Sequence, residues 1–181
     1  MSELAIAGAN PAKAAALKRV AAALRIRCAR RIRVDVDEDG PTFADNARDK
    51  ALAASALAPG ALVMASDGGL EIPALRDRWD PLRTSRFAGE APPLTKARRL
   101  IELAGELPVE ARVARWTEAL ALAVDGRVIA CWTQSGPQRR MAASVPETVG
   151  AFWVDALLEQ TDRAPGHWEL LRRRFAEFCA A

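Results

Sequence analysis

Ala61-Leu62-Val63-Met64-Ala65-Ser66-Asp67-Gly68-Gly69-Leu70-Glu71 opens on a continuous apolar run of the kind that forms a strand buried on both faces, the mark of a sheet covered by helices on either side. After Ala65 the chain is expected to break at Ser66-Asp67-Gly68-Gly69-Leu70. Two readings of that break stand side by side. Asp-Gly is a common turn pair, and an acid followed by two glycines at the carboxyl end of a buried strand is where α/β folds place ligands.

Working upstream, residues 3–9 read as a short strand ending in small residues, followed by a helix from Pro11 to about Leu24 with Asn10 as N-cap and Pro11 at the first helical position. This is either an ordinary strand-to-helix turn or one that offers backbone N–H groups and a positive helix end to phosphate. Residues 31–36 alternate as a half-buried strand, and Asp37, Glu38 and Asp39 follow as three consecutive acids before Gly40-Pro41. Such a triplet is a solvated loop or the seat of a cation. Thr42 caps a second helix, Phe43 to about Leu57, closed by Pro59-Gly60.

Downstream, residues 76–93 carry Arg, Trp, Pro and Gly without periodicity and read as a long loop or lid, and helical spacing returns over 94–107. Residues 112–124 and 127–134, joined by Asp125-Gly126, predict a hairpin on a two-residue type I′ turn. The chain is irregular from Pro137 to about Val149. Residues 152–159 form a strand or short helix, and 167–179 an amphipathic helix with a basic face.

The 181 residues suit one domain spanning 1–181, and 50% hydrophobic with 27% charged residues gives enough core to exclude wholesale disorder. A net charge of +3 is too small and too evenly spread for a dedicated nucleic-acid binder, although it suits small anionic ligands. Of the 26 basic residues only Lys13, Lys18, Lys50 and Lys96 are lysines. Cys28, Cys131 and Cys179 lie far apart without CxxC spacing, which argues for a reducing compartment and against a zinc site. With neither a signal-peptide pattern nor a membrane-length apolar run, the expected location is cytoplasmic.

Ala7-Gly8-Ala9-Asn10-Pro11-Ala12-Lys13, the segment from Glu38 to Ala51 (EDGPTFADNARDKA) and Ser66-Asp67-Gly68-Gly69-Leu70-Glu71, taken in order, resemble the inosine triphosphate pyrophosphatase family, the XTP/dITP diphosphatases. Thr84-Ser85-Arg86-Phe87-Ala88-Gly89-Glu90 is similar to a further loop of that family. Phe152-Trp153-Val154-Asp155 and His167 fall where it has base-site residues. The resemblance is strong to about Glu90 and weak after Gln134. It implies an elongated mixed β-sheet flanked by helices, two lobes with a central nucleotide cleft, a homodimer, and Mg²⁺-dependent splitting of nucleoside triphosphates with modified or deaminated purines into monophosphate and pyrophosphate.

By the same resemblance Glu38 and Asp67 hold Mg²⁺, and Asp67, Ser66 and Lys50 stand at the catalytic positions. Asn10, Lys13, Lys50, Gly69 and Arg86 bind the substrate, with Phe152 stacking on the base and Asp155 and His167 reading its edge. Water attacking the α-phosphorus builds charge on a polyanion, so fixed cations are the expected catalytic device.

The sequence departs from the family at several positions. Ser66 stands where the resemblance expects the aspartate that activates water, and general-base assistance is worth about two to four orders of magnitude. Either hydrolysis is weakened or another group, Asp67 among them, takes the proton. Trp168 replaces an arginine, a nearby lysine has no match other than neighbouring Arg163, and Gly8-Ala9 replaces Thr-Gly. The leading expectation is therefore a diverged nucleoside triphosphate pyrophosphatase. The alternative is a nucleotide-binding pseudoenzyme or sensor. A nucleic-acid binder using Arg172, Arg173 and Arg174 is the weakest reading, and no stable nucleic-acid partner and no membrane are expected.

Overall fold

The computed structural model describes residues 4–150, 152–160 and 164–181. Its elements are β1 (Leu4–Ala7), α1 (Pro11–Ala23), β2 (Cys28–Ile32), α2 (Phe43–Ala56), β3 (Leu62–Glu71), α3 (Pro93–Gly105), β4 (Val113–Val124), β5 (Arg127–Ser135), β6 (Arg139–Arg140) and α4 (His167–Ala180), with short 3₁₀ stretches between them. A six-stranded sheet runs β2-β1-β3-β4-β5, with β6 beside β4. The expected α/β class, a mixed sheet flanked by helices, is what forms. Among the described residues no helix is long and apolar enough to cross a membrane.

The chain divides into two compact units: residues 1–68, 118–135 and 166–181, and residues 69–117 with 136–165. In the first, β1 pairs in parallel with both β2 and β3. The chain passes from β1 to β2 through α1, then back across β1 to β3 through α2. Right-handed crossovers in opposite directions put those two helices on opposite faces of the sheet. Leu17 and Val20 of α1 share a core with Leu4, Ile6, Met64, Leu120 and Leu122 of the strands and with Leu171 and Phe175 of α4. α2 packs on β1 and β5.

Local chemistry sets the helix starts where the sequence placed them. Asn10 Oδ1 accepts from the N–H groups of Ala12 (2.9 Å) and Lys13 (3.3 Å), and Thr42 Oγ1 accepts from the N–H of Asp45 at 3.2 Å. The hairpin turn has φ of 45° at Asp125 and 73° at Gly126, as a type I′ turn requires. The second strand differs from expectation: it covers Cys28–Ile32, not 31–36. β1 ends at Ala7, opposite Ile32, so residues 33–36 run past the end of their ladder partner.

β3 also differs, because it does not break at Ser66 but continues to Glu71. Neither Gly68 nor Gly69 is among the residues of positive φ. The glycine at 69 serves close approach rather than a turn. A Cβ there would lie 2.0 Å from the Pro81 carbonyl oxygen and 2.8 Å from Thr84 Oγ1. The expected lid at 76–93 is folded onto this part of the second unit as two 3₁₀ stretches, Pro73–Arg78 and Pro81–Arg86. Trp79 Nε1 donates to Leu70 O at 2.6 Å, and Thr84 Oγ1 accepts from Leu70 N–H at 3.0 Å. Gly69→Ala is expected to cost about 1–3 kcal/mol through overpacking. An unchanged urea midpoint would contradict this close packing.

The basic face of α4 is paired along its own helix. Glu169 accepts from Arg172 at 2.7 and 2.9 Å and from Arg173 at 3.1 Å, while Arg174 donates to Glu177 at 3.1 Å. The hydrogen bonds from Arg172, then from Arg173, hold the Glu169 carboxyl down at about 2. A carboxylate with a depressed folded pKa stabilises fully above its ordinary value of 4.5, and that contribution is lost as pH falls toward 2. Glu169→Gln is therefore expected to lower the Tm slightly at pH 7 and to match the parent protein below pH 2. Thermal melts across that range check it.

Candidate active site

Asp67 is the hub of the first unit's polar interior. Successive strand residues point to opposite faces. Asp67, two positions after Ala65, turns toward α2, where Lys50 and Asn46 meet it. Lys50 Nζ lies 2.8 Å from Asp67 Oδ1 and 2.6 Å from Glu38 Oε1, so one ammonium joins the two carboxylates. Asn46 Nδ2 donates to Asp67 Oδ2 at 3.1 Å, and Asn46 Oδ1 accepts the Gly40 N–H at 2.9 Å. The middle acid of the 37–39 triplet is thus drawn inward onto a cation, while Asp37 and Asp39 are exposed.

Lys13, in the first turn of α1, reaches the same hub from the other face. Its Nζ donates to Gly68 O at 3.1 Å and lies 3.6 Å from Asp67 Oδ1 and 3.3 Å from Glu118 Oε1. Burial works against the charge on Lys50, but the attraction and hydrogen bond of Asp67, followed by those of Glu38, outweigh it and raise its pKa above the ordinary value. Asp67 is 6% exposed and Glu118 fully buried, so these charges are held by one another in place of water.

Lys13, Glu38, Lys50 and Asp67 are thus brought together, as the sequence motifs implied. Asn10 uses its side-chain oxygen to cap α1, so the N–H groups of Ala12 and Lys13 already have a partner. Ser66 turns toward the α1 face and is 5% exposed, and its Oγ has no hydrogen-bond partner among the described residues. His167 opens α4, with its ring tilted against Trp168 at 5.4 Å. Gly69, Arg86, Phe152 and Asp155 belong to the second unit. There Phe152 stands edge-on to Trp116 at 4.8 Å, and Asp155 accepts from Arg139 Nη1 at 3.0 Å. Arg163 lies outside the described residues.

Three residues of this interior were missed by sequence reasoning. Asn46 sits on the buried side of α2, and Arg31 donates from Nε to Gly8 O at 2.9 Å and from Nη2 to Ala9 O, clamping the turn before α1. Glu118 carries the clearest signal. It is the one charge within the otherwise uncharged run Trp116–Val124, whose strand is buried on both faces from Trp116 to Ala123.

Two carboxylates of separate segments that converge on one cation present the hard oxygen donors a divalent metal prefers. Among the described residues no three His, Cys, Asp or Glu side chains gather as a metal-ligating group, so no all-protein cage is present. Two carboxylates with phosphate and water oxygens are the usual ligand set of Mg²⁺, and these residues fit it.

An α/β sheet with paired lysines and carboxylates gathered on a central strand defines a class of protein whose chemistry suits a polyanionic ligand and its counter-cation. The Ham1 family model matches residues 4–136, and the chain belongs to that family. A dITP/XTP pyrophosphatase of Geobacillus kaustophilus is 37% identical over 139 residues, 75% of this chain and 65% of that protein. One of Acidobacterium capsulatum is 38% identical over 128 residues, 67% of this chain and 62% of that protein. The chain therefore spans less than two thirds of the length of these relatives. A Ham1 protein of Coxiella burnetii shares the fold, with a TM-score of 0.71 at 22% identity over 98% of this chain and 100% of that one.

Proposed function

We propose that this chain is a Mg²⁺-dependent nucleoside triphosphate pyrophosphatase that converts a nucleotide, of modified or deaminated purine type, to its monophosphate and pyrophosphate. The observation that carries the reading is the convergence of Lys13 and Lys50 with Glu38 and Asp67 at β3. Relatives named dITP/XTP pyrophosphatase support the substrate class.

In this reading Lys13 and Lys50 exchange part of their pairing with carboxylates for pairing with the triphosphate, so the ligand's charge is met by cations already in position. Glu38 and Asp67 would hold Mg²⁺, which when bound neutralises charge on the phosphates. Asn46 keeps the Asp67 carboxylate oriented. Phe152, Asp155 and His167 are proposed to recognise the base, Arg86 and Gly69 to contact the substrate, and the protein to act as a cytoplasmic homodimer.

Purified protein is to be incubated with a panel of common and deaminated NTPs and dNTPs, with and without Mg²⁺, and pyrophosphate measured. Metal-dependent release from a subset of them is expected. Folded protein that turns over none refutes the reading. A second reading, a nucleotide sensor, is favoured by Ser66, which brings a hydroxyl where hydrolysis calls for a base. It predicts nucleotide-dependent thermal stabilisation without product.

A further inference from the structure

The turn from β1 into α1 is held from the neighbouring strand by Arg31. Its guanidinium donates from Nε to Gly8 O at 2.9 Å and from Nη2 to Ala9 O, while the Gly8 N–H donates to Ile32 O at 3.0 Å. Two consecutive carbonyls on one planar fork suit a guanidinium and not an ammonium. The turn needs such a hold. Gly8 sits at φ 128°, a conformation that L side chains rarely adopt, and a glycine gives up more backbone freedom on ordering than any other residue.

Fixing those carbonyls also aims two donors. None of the described peptide bonds is cis, and in a trans peptide the carbonyl and the N–H that follows it point in opposite directions. With Gly8 O and Ala9 O drawn onto Arg31, the N–H groups of Ala9 and Asn10 are turned away from it. Both residues are exposed, and neither N–H has a hydrogen-bond partner among the described residues. Pro11 has no N–H, and those of Ala12 and Lys13 are taken by Asn10 Oδ1. The pair that Arg31 orients is therefore what this helix start has left to offer an anion.

We propose that Arg31 is a positioning residue for polyphosphate: by clamping the Gly8 and Ala9 carbonyls it presents the Ala9 and Asn10 N–H groups as a fixed pair of donors to phosphate oxygens. This rests on the pyrophosphatase reading as far as that reading brings a polyphosphate to the start of α1. Arg31 acts through the backbone and does not itself touch the ligand.

The test compares the parent protein with R31M, which keeps the stem and removes the fork, and R31K, which keeps the charge but not the fork. Calorimetry gives the affinity for inorganic tripolyphosphate with Mg²⁺, NMR follows the Ala9 and Asn10 amides in the same titration, and steady-state kinetics on the nucleotide panel give KM and kcat. Hydrogen bonds to a charged acceptor are lost from the bound state, so both variants are expected to bind tripolyphosphate about tenfold more weakly and to raise KM about tenfold, with kcat within about threefold. Both amides are expected to shift in the parent and to shift less in the variants. Unchanged tripolyphosphate affinity in R31M overturns the proposal. So does R31K that matches the parent, since charge alone would then suffice, or a loss confined to kcat. If neither variant folds, the parent decides: shifts at both amides support the proposal, and bound tripolyphosphate that leaves them unmoved overturns it. Nucleotide hydrolysis with unmoved amides overturns this proposal and leaves the pyrophosphatase reading standing. Tripolyphosphate binding that meets every expectation without hydrolysis of any nucleotide does the reverse, and a folded parent that does neither overturns both.

Discussion

Lys50→Met is expected to lower the unfolding free energy by about 3 kcal/mol, the lower end of what breaking a buried ion pair costs. Lys50 Nζ joins Glu38 (2.6 Å) to Asp67 (2.8 Å), and the Lys50 and Asp67 side chains are 10% and 8% exposed. Methionine keeps the stem's volume and removes the charge. Asp67 is then left buried with Asn46 and the longer 3.6 Å contact to Lys13. Glu38 is 29% exposed and recovers some solvation, which keeps the loss at the lower end. Urea titration of both proteins measures it, and a difference under about 1 kcal/mol would mean that solvent screens the cluster.

On the proposed pyrophosphatase reading, Asp67→Asn is expected to reduce pyrophosphate release by about 10³-fold, since the carboxylate proposed to hold the metal and several kcal/mol of charge stabilisation would be lost together. The substitution is close to isosteric, but its hydrogen bonding fails. Asp67 accepts on both oxygens, from Lys50 on Oδ1 and from Asn46 on Oδ2. An amide has one acceptor, so its NH₂ must face the Lys50 ammonium or the Asn46 NH₂, donor against donor. A stability cost of about 1–3 kcal/mol is expected beside the kinetic one. Steady-state assays at saturating Mg²⁺ with a parallel thermal melt separate the two. Activity within tenfold of the parent would exclude Asp67 from the chemistry.

Much of the fold was legible because its signals are local. Asn10 and Thr42 cap the helices they were expected to cap, and Asp125-Gly126 makes the expected turn. The errors came where a distant partner decides. The end of β2 is set by the end of β1, which composition at 31–36 does not record. The extension of β3 through Gly68-Gly69 depends on a neighbouring strand and on the close approach of Pro81, and two glycines read locally as a break.

The site divides in the same way. From the sequence, the resemblance of its motifs to those of the family implied that Lys13, Glu38, Lys50 and Asp67 belong together. Only the tertiary structure decided which carboxylate meets which cation, and that Asn46 and Glu118 join them. Pairing across a sheet brings together residues far apart in the sequence, and no local pattern encodes which strand lies beside which.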